Sequence, residues 1–408
     1  MDLLRLPAST SPRPLSQPAA APPPPGAVHA AVHSAARVGL LASLLAASGC
    51  GSPPAAAPVA QSLTRFPYEA FPIPLDNQPT PQRIELGRLL FFDPILSGNQ
   101  RISCGSCHHP DAAMGDALPV GAALGDPAGG SLPRSSPTIF NARFQHSQFW
   151  DGRASSLEDL AAQPIANPRE LASSVPEVLS RLQGVPEYVQ RFRDSYGALD
   201  EHALRRALAA FVREVTANDA PVDRYLTGDE AALSARARAG FGLFFGKARC
   251  SRCHYVPLFA GTEGPSFSST EFRVTGVPER GSLPLRMTAD RGRAAVEEQP
   301  APAFEHAFKA PTLRNIAQTA PYMHNGALQT LEEVVDFYNT VTSPSLRGYD
   351  VPGLDFVLGL GPLELSAEEK GALVTFLREG LTDLSKMPEV PQAVPSGLAP
   401  VGTLPPKR

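Results

Sequence analysis

The sequence predicts a mainly α fold in two domains, and three features of the chain lead there. Helical signals recur along it while strand alternation is nearly absent. The pattern Cys-x-x-Cys-His occurs twice, at 104–108 and at 250–254. Between the helices lie long Gly- and Pro-rich stretches, 110–140 and 256–303, which exceed ordinary helix connections and suggest chain wrapped around something that is not protein.

Helix signals appear in order. Thr80-Pro81 is an N-cap with proline at the first helical position, opening a helix through Leu90. Ser155 and Glu158 read as a capping box before Leu160 and Ala161. Leu204, Leu208, Phe211, Val212 and Val215 follow the spacing of an amphipathic helix. Thr330 and Glu333 make another capping box, with Leu331, Val334, Val335 and Tyr338 on one face, and Ser366 with Glu369 opens a last helix through Leu377.

Length and composition set bounds. The 408 residues are 19% charged and 43% hydrophobic with a formal net charge of −4, which excludes a collagen-like chain, a wholly disordered one and a basic nucleic-acid binder. Eleven of 44 prolines fall in 1–58 and six in 388–408, so both ends read as tails around a core long enough for two domains. At the front, Arg37 precedes an apolar run over 38–47 and then Ser48-Gly49-Cys50. That run is too short to span a bilayer but fits a signal peptide. The small pair before Cys50 resembles a lipoprotein signal, with Cys50 lipidated; the alternative is an ordinary cleaved signal, and a true start near Val28 or Val32 would leave the Pro-rich front untranslated. Residues 1–50 are therefore read as leader and 51–64 as linker. The expected location is the periplasm, with a lipid on Cys50 the sole membrane attachment.

The two cysteine motifs carry the chemistry. Two thiols three residues apart can each add across a haem vinyl group, and the adjacent histidine reaches the iron from the same side; this reads as covalent c-type haem attachment through Cys104, Cys107, Cys250 and Cys253, with His108 and His254 axial. A four-cysteine zinc site or disulfides would leave both histidines unexplained. Opposite His108, residues 111–145 offer only Met114 as a ligand, so that side reads as open; opposite His254 the candidates are Met287, His306, Met323, His324 and Tyr338, and spacing leaves Tyr338 level with Met323. Arg134, Arg153 and Arg314 could pair with haem propionates or hold loops.

Residues 65–386 resemble the bacterial di-haem cytochrome c peroxidase family, and within it the MauG-like branch. The resemblance rests on linked blocks: Leu86-Gly-Arg-Leu-Leu-Phe-Phe-Asp-Pro94, Ser136-Pro-Thr-Ile-Phe-Asn141, Gln148-Phe-Trp-Asp-Gly-Arg153, Asn218 to Tyr225, Phe244-Phe-Gly246, Ala310-Pro-Thr-Leu-Arg-Asn-Ile316 and Ala320-Pro-Tyr-Met-His-Asn-Gly326. It implies two cytochrome c-like domains, each around one covalently attached haem: 65–227 with the peroxidatic haem and 228–386 with the electron-transfer haem, followed by a Pro-rich tail over 387–408. It also implies that Trp150 bridges the haems, that Glu170 is the distal acid with Pro164 flanking the pocket, and that Tyr338 is the second axial ligand, which breaks the tie with Met323. Where the family has Arg-Asn this chain has Arg134-Ser135, so a calcium site would fall to Ser135 with carbonyls of Thr319 and Pro321. Leu160 replaces a common glutamine, leaving a drier Glu170 with a raised pKa. The implied activity is oxidation by hydrogen peroxide. Electrons would come from a small cytochrome c or cupredoxin, or from a partner protein that is modified; the alternative is a non-catalytic di-haem electron-transfer cytochrome. Nucleic acid is not an expected partner.

Overall fold

The first helix, α1 (Pro81–Phe92), begins where expected: the Thr80 hydroxyl accepts from the Arg83 amide at 3.2 Å. It buries Leu86, Leu89, Leu90 and Phe92 and crosses α5 (Glu201–Glu214) at Gly87, where a Cβ would stand 2.0 Å from the Ala207 carbonyl oxygen. Between them lie α2 (Leu157–Ala166), α3 (Val175–Gln183) and α4 (Pro186–Tyr196). The α2 cap lies one residue later than expected: Ser156 accepts from the Asp159 amide at 3.0 Å. The short α6 (Pro221–Leu226) leads to α7 (Ala235–Phe245), α8 (Leu331–Thr340) and α9 (Ala367–Thr375), the last continued by one wide turn over Phe376–Gly380. The only sheet among the described residues is a two-residue antiparallel pair, β1 (Phe272–Arg273) with β2 (Phe308–Lys309).

This computed structural model describes residues 66–264, 271–354 and 361–402. The leader and the lipidation reading at Cys50 lie outside them. All described residues belong to one compact unit, Ala56–Arg408. Within it are two main apolar cores. One gathers α1 to α5, from Leu86 to Ala217; the other begins at Ala220 and ends at Leu381. The turn into the second half therefore comes earlier than residue 227, because Val222 of α6 packs in the second core and Asp223 holds Arg314 through two contacts of 2.7 Å.

The segment expected to be a C-terminal tail is a strap over its described part. Val394 is buried in the first core with Val390 and Leu398 against it. The Val401 amide donates to Phe92, and its carbonyl accepts from the Ser103 hydroxyl at 2.8 Å, beside the first cysteine motif. Proline content here marks an extended chain tied down by side-chain packing rather than a loose end.

The two halves repeat one design. Gly240 of α7 meets α9 as Gly87 meets α5, with a Cβ again 2.0 Å from a carbonyl oxygen, that of Ala372. Both helices run into Leu-Phe-Phe and then into a cysteine motif. After each motif comes Pro-Thr-x-x-Asn, ending in Asn141 and Asn315, both left-handed at φ 60° and ψ 18°. The Asn141 amide donates to Val215 and that of Asn315 to Leu381, each at 2.9 Å, pinning the loop to the end of the closing helix of its own half. Gly87→Ala is expected to force α1 and α5 apart and lower stability by roughly 1–3 kcal/mol, the usual range for overpacking; denaturant unfolding measures it.

Candidate active site: two cavities with a common wall

Each motif opens into its own cavity, so the two cysteine pairs do not assemble a four-cysteine metal site. Cys104, Cys107 and His108 line the first and Cys250, Cys253 and His254 the second. None of the four forms a disulfide, and burial pushes the thiols of Cys104, Cys107 and Cys250 up to about 12, which keeps them protonated and unlike reactive thiolates. Each histidine is aimed by the main chain. The Met114 carbonyl accepts from Nδ1 of His108 and the Pro311 carbonyl from Nδ1 of His254, both at 3.0 Å, which leaves Nε2 as the lone-pair nitrogen of each ring. Burial lowers both imidazole pKa values, that of His254 to about 4, so both rings are neutral.

The first cavity measures about 830 Å³. Glu170, Pro164, Asn167 and Leu160 line it together with His108. No methionine, tyrosine or second histidine does so among the described residues; the candidate ligand Met114 is fully buried in the first core. Burial raises the Glu170 pKa, opposed by the Asn167 amide, which donates to its carboxylate at 2.6 Å, and by the charge of Arg153. The shift of Glu170 thus has the expected direction, with Asn167 as a polar partner that the sequence reading does not reveal.

The second cavity, about 210 Å³, is tighter and mostly apolar. Leu331, Val334, Val335 and Tyr338, the predicted face of α8, all line it, as do Met323 and His324. Met287 and His306 do not; His306 bonds the Asp290 carbonyl at 2.8 Å through Nδ1. Burial raises the Tyr338 hydroxyl well above the usual phenol range, with the thiols of Cys253 and Cys250 adding to the rise and a hydrogen bond with Thr275 opposing it.

The cavities share a wall that includes Trp150, Lys309 and the segment Ser135 to Thr138. Its two sides are equivalent positions of the internal repeat. The Ser135 amide donates to the His324 carbonyl at 2.7 Å, and the Lys309 amide donates to the Trp150 carbonyl at 2.9 Å. Trp150 and His324 correspond in sequence and meet edge to face, 6.4 Å between ring centres, while His324 stacks on Phe308 at 3.8 Å. The Trp150 Nε1–H donates to the Ser135 carbonyl at 2.9 Å.

Residues 81–231 match the family model described as di-haem cytochrome c peroxidase. Over 313 residues the chain is 36% identical to the methylamine utilization protein MauG of Methylorubrum extorquens, covering 76% of this chain and 81% of that one. The chain belongs to the di-haem cytochrome c peroxidase family. It is an oxidoreductase of that family, and 36% identity over 268 residues links it also to the cytochrome c551 peroxidase of Pseudomonas aeruginosa, covering 64% of this chain and 73% of the relative. Among solved structures it is similar to a MauG-like protein associated with microbial copper homeostasis, with a TM-score of 0.66, 29% identity and coverage of 78% of this chain and 93% of the other. The diheme peroxidase BthA from Burkholderia thailandensis shares the fold at a TM-score of 0.62 and 24% identity, covering 79% of this chain and 91% of that one.

The two cavities fit the two haems of the family: each pairs buried thiols with a histidine whose free nitrogen can take iron. The arginines are less available to haem carboxylates than they seemed from sequence. Arg134 pairs with Asp290 and Asp151, Arg153 with Asp151, and Arg314 with Asp223. For a calcium ion, the candidates Ser135, Thr319 and Pro321 all border one cavity, where the Ser135 hydroxyl is shared between the Met323 and His324 carbonyls at 3.2 and 3.3 Å, joining the halves. No described cluster of three acidic, histidine or cysteine side chains could hold one. No described helix is long and apolar enough to cross a membrane.

Proposed function

We propose that this chain is an exported enzyme that takes two electrons per hydrogen peroxide and, with two protons, releases two waters. Peroxide would be received in the first cavity, and the oxidising equivalents shared with the second. The observation that carries the reading is a half-buried carboxyl, Glu170, facing a cavity whose described lining has one candidate axial histidine and no second ligand. Haem, held by Cys104, Cys107 and His108 and by Cys250, Cys253, His254 and Tyr338, supplies the redox chemistry when bound. Glu170 accepts the proton of the oxygen nearer His108 and returns it to the departing oxygen, with Asn167 fixing the carboxylate and Pro164 and Leu160 limiting water around it. Trp150, held by its indole N–H to Ser135, is the aromatic bridge in the common wall.

A tyrosine rather than a methionine on the second side favours a MauG-like use of the equivalents, drawing electrons from Trp or Tyr residues of a partner protein. A peroxidase supplied by a small cytochrome c or cupredoxin is the second reading, favoured by the identity to the cytochrome c551 peroxidase. An electron-transfer cytochrome without catalysis would have no use for Glu170. Location in the periplasm and a lipid on Cys50 complete the proposal.

A haem count and EPR of the oxidised protein, before and after peroxide, test it. Two haems per chain, one high-spin and one low-spin, with a spectrum changed by peroxide, are expected. Two low-spin signals indifferent to peroxide would reject the enzyme readings.

A further inference from the structure

Lys309 is a buried amine with no carboxylate in ion-pairing contact among the described residues. The residue is 8% exposed, on the short strand β2 of the second half, and among the described residues it is the one lysine or arginine that lines both cavities. Its main-chain N–H holds the Trp150 carbonyl, while its side chain crosses the common wall. There Nζ donates to Oε1 of Gln145 and to the Ser147 carbonyl, the latter at 3.2 Å. Both partners are neutral oxygens of the first half, and Gln145 lines the first cavity only.

Two carboxylates stand near, and both are engaged. Asp151 is shared by Arg134 at 2.5 Å and Arg153 at 2.9 Å, and Asp290 by Arg134 at 2.6 Å. On the wall of the first cavity Arg134 and Arg153 thus take up both carboxylates, and Lys309 is left with neutral oxygens. Burying an ammonium without a counter-charge costs several kcal/mol, so such a group is retained where an anion completes it. Burial indeed pulls the Lys309 amine down to about 7, with only the charge of Asp151 opposing. The internal repeat sharpens the contrast. At the equivalent position, Ser135 satisfies itself on two carbonyls of the opposite half, whereas Lys309 brings a charge.

We propose that Lys309 is the counter-ion for a haem propionate in the first cavity, delivered across the wall by the half that holds the other haem. The first site is then incomplete without the second half, and this charge beside Trp150 raises the potential of the first haem. The inference rests on the two-haem reading above.

The test is a redox titration of the full-length loaded protein, with the first haem followed by its high-spin EPR signal. Lys309→Met should move the first midpoint to more negative values by roughly a tenfold change in the reduction equilibrium, about 59 mV for one electron, with a smaller shift at the second haem. Lys309→Arg should restore most of the difference. A first midpoint that stays put in Lys309→Met, or a Lys309→Arg variant no better than it, overturns the proposal. Should the methionine variant not fold, a crystal structure of the loaded wild type decides: Nζ within hydrogen-bonding distance of a propionate oxygen, about 3 Å, is expected, and an amine still bonded only to Gln145 and Ser147 refutes it. A count of two haems with an unmoved midpoint defeats the Lys309 role alone, while a chain with no haem defeats the site reading beneath it.

Discussion

Tyr338→Phe should convert the low-spin signal of the second haem to high-spin and raise that haem's midpoint potential by on the order of tenths of a volt, inside the roughly 0.8 V over which axial ligands tune haems. The phenol sits among Leu331, Val334, Val335, Leu373 and Leu377 in the second cavity. Burial raises its pKa so far that a bare phenolate would be untenable there. A cation would be needed to hold the anion there, and a ferric haem bound through His254 would supply one. An anionic oxygen donor stabilises the oxidised metal, so its loss favours the reduced form and removes the store for the second oxidising equivalent. An EPR spectrum and midpoint unchanged in Tyr338→Phe would hand the ligand role to Met323 or His324, the other candidates lining the cavity. Met323→Leu on the same titration checks the first of these.

Glu170→Gln should slow the reaction with peroxide by roughly 10²–10⁴-fold, the usual contribution of a positioned proton-transfer group, with haem content intact. Stopped-flow mixing with peroxide measures it. The pH dependence follows from the direction of the shift. Burial raises the Glu170 pKa above its ordinary value, and the proton acceptor must be ionised, so the rate should fall as the pH drops through that raised pKa, at a higher pH than for an exposed glutamate. Asn167→Ala removes a donor that favours the carboxylate, at 2.6 Å, and should move this acid limb to still higher pH. A limb that stays in place in Asn167→Ala assigns it to another group. A Glu170→Gln rate equal to wild type removes Glu170 from the proton transfer.

Much of this molecule is local, and what is local was readable. Thr80-Pro81, Thr330 and Ser366 cap helices where the sequence places them, because a cap is a contact between residues three apart. The apolar face of α8 was legible for the same reason, and all four of its residues meet one cavity. The sequence places the α2 cap one residue early, since Ser155 and Ser156 offer the same chemistry. The C-terminal strap looks like a tail in the sequence because composition registers proline but not the partners Phe92 and Ser103 that lie about 300 residues away in the chain.

By itself the sequence determined the two attachment motifs and the helical class. These depend on residue type and short spacing, which physics reads without knowing the rest of the chain. Only the tertiary structure decided which side chains share the wall. The internal repeat survives mainly where backbone conformation demands it, at the left-handed Asn141 and Asn315 and the close-packed Gly87 and Gly240. Between those points the halves have diverged, so that Ser135 faces two carbonyls while its counterpart Lys309 carries an unpaired charge through the wall beside Trp150. Whether a buried lysine is compensated depends on the sum of charges that folding brings around it, and Asp151, Asp290, Arg134 and Arg153 converge there from both halves.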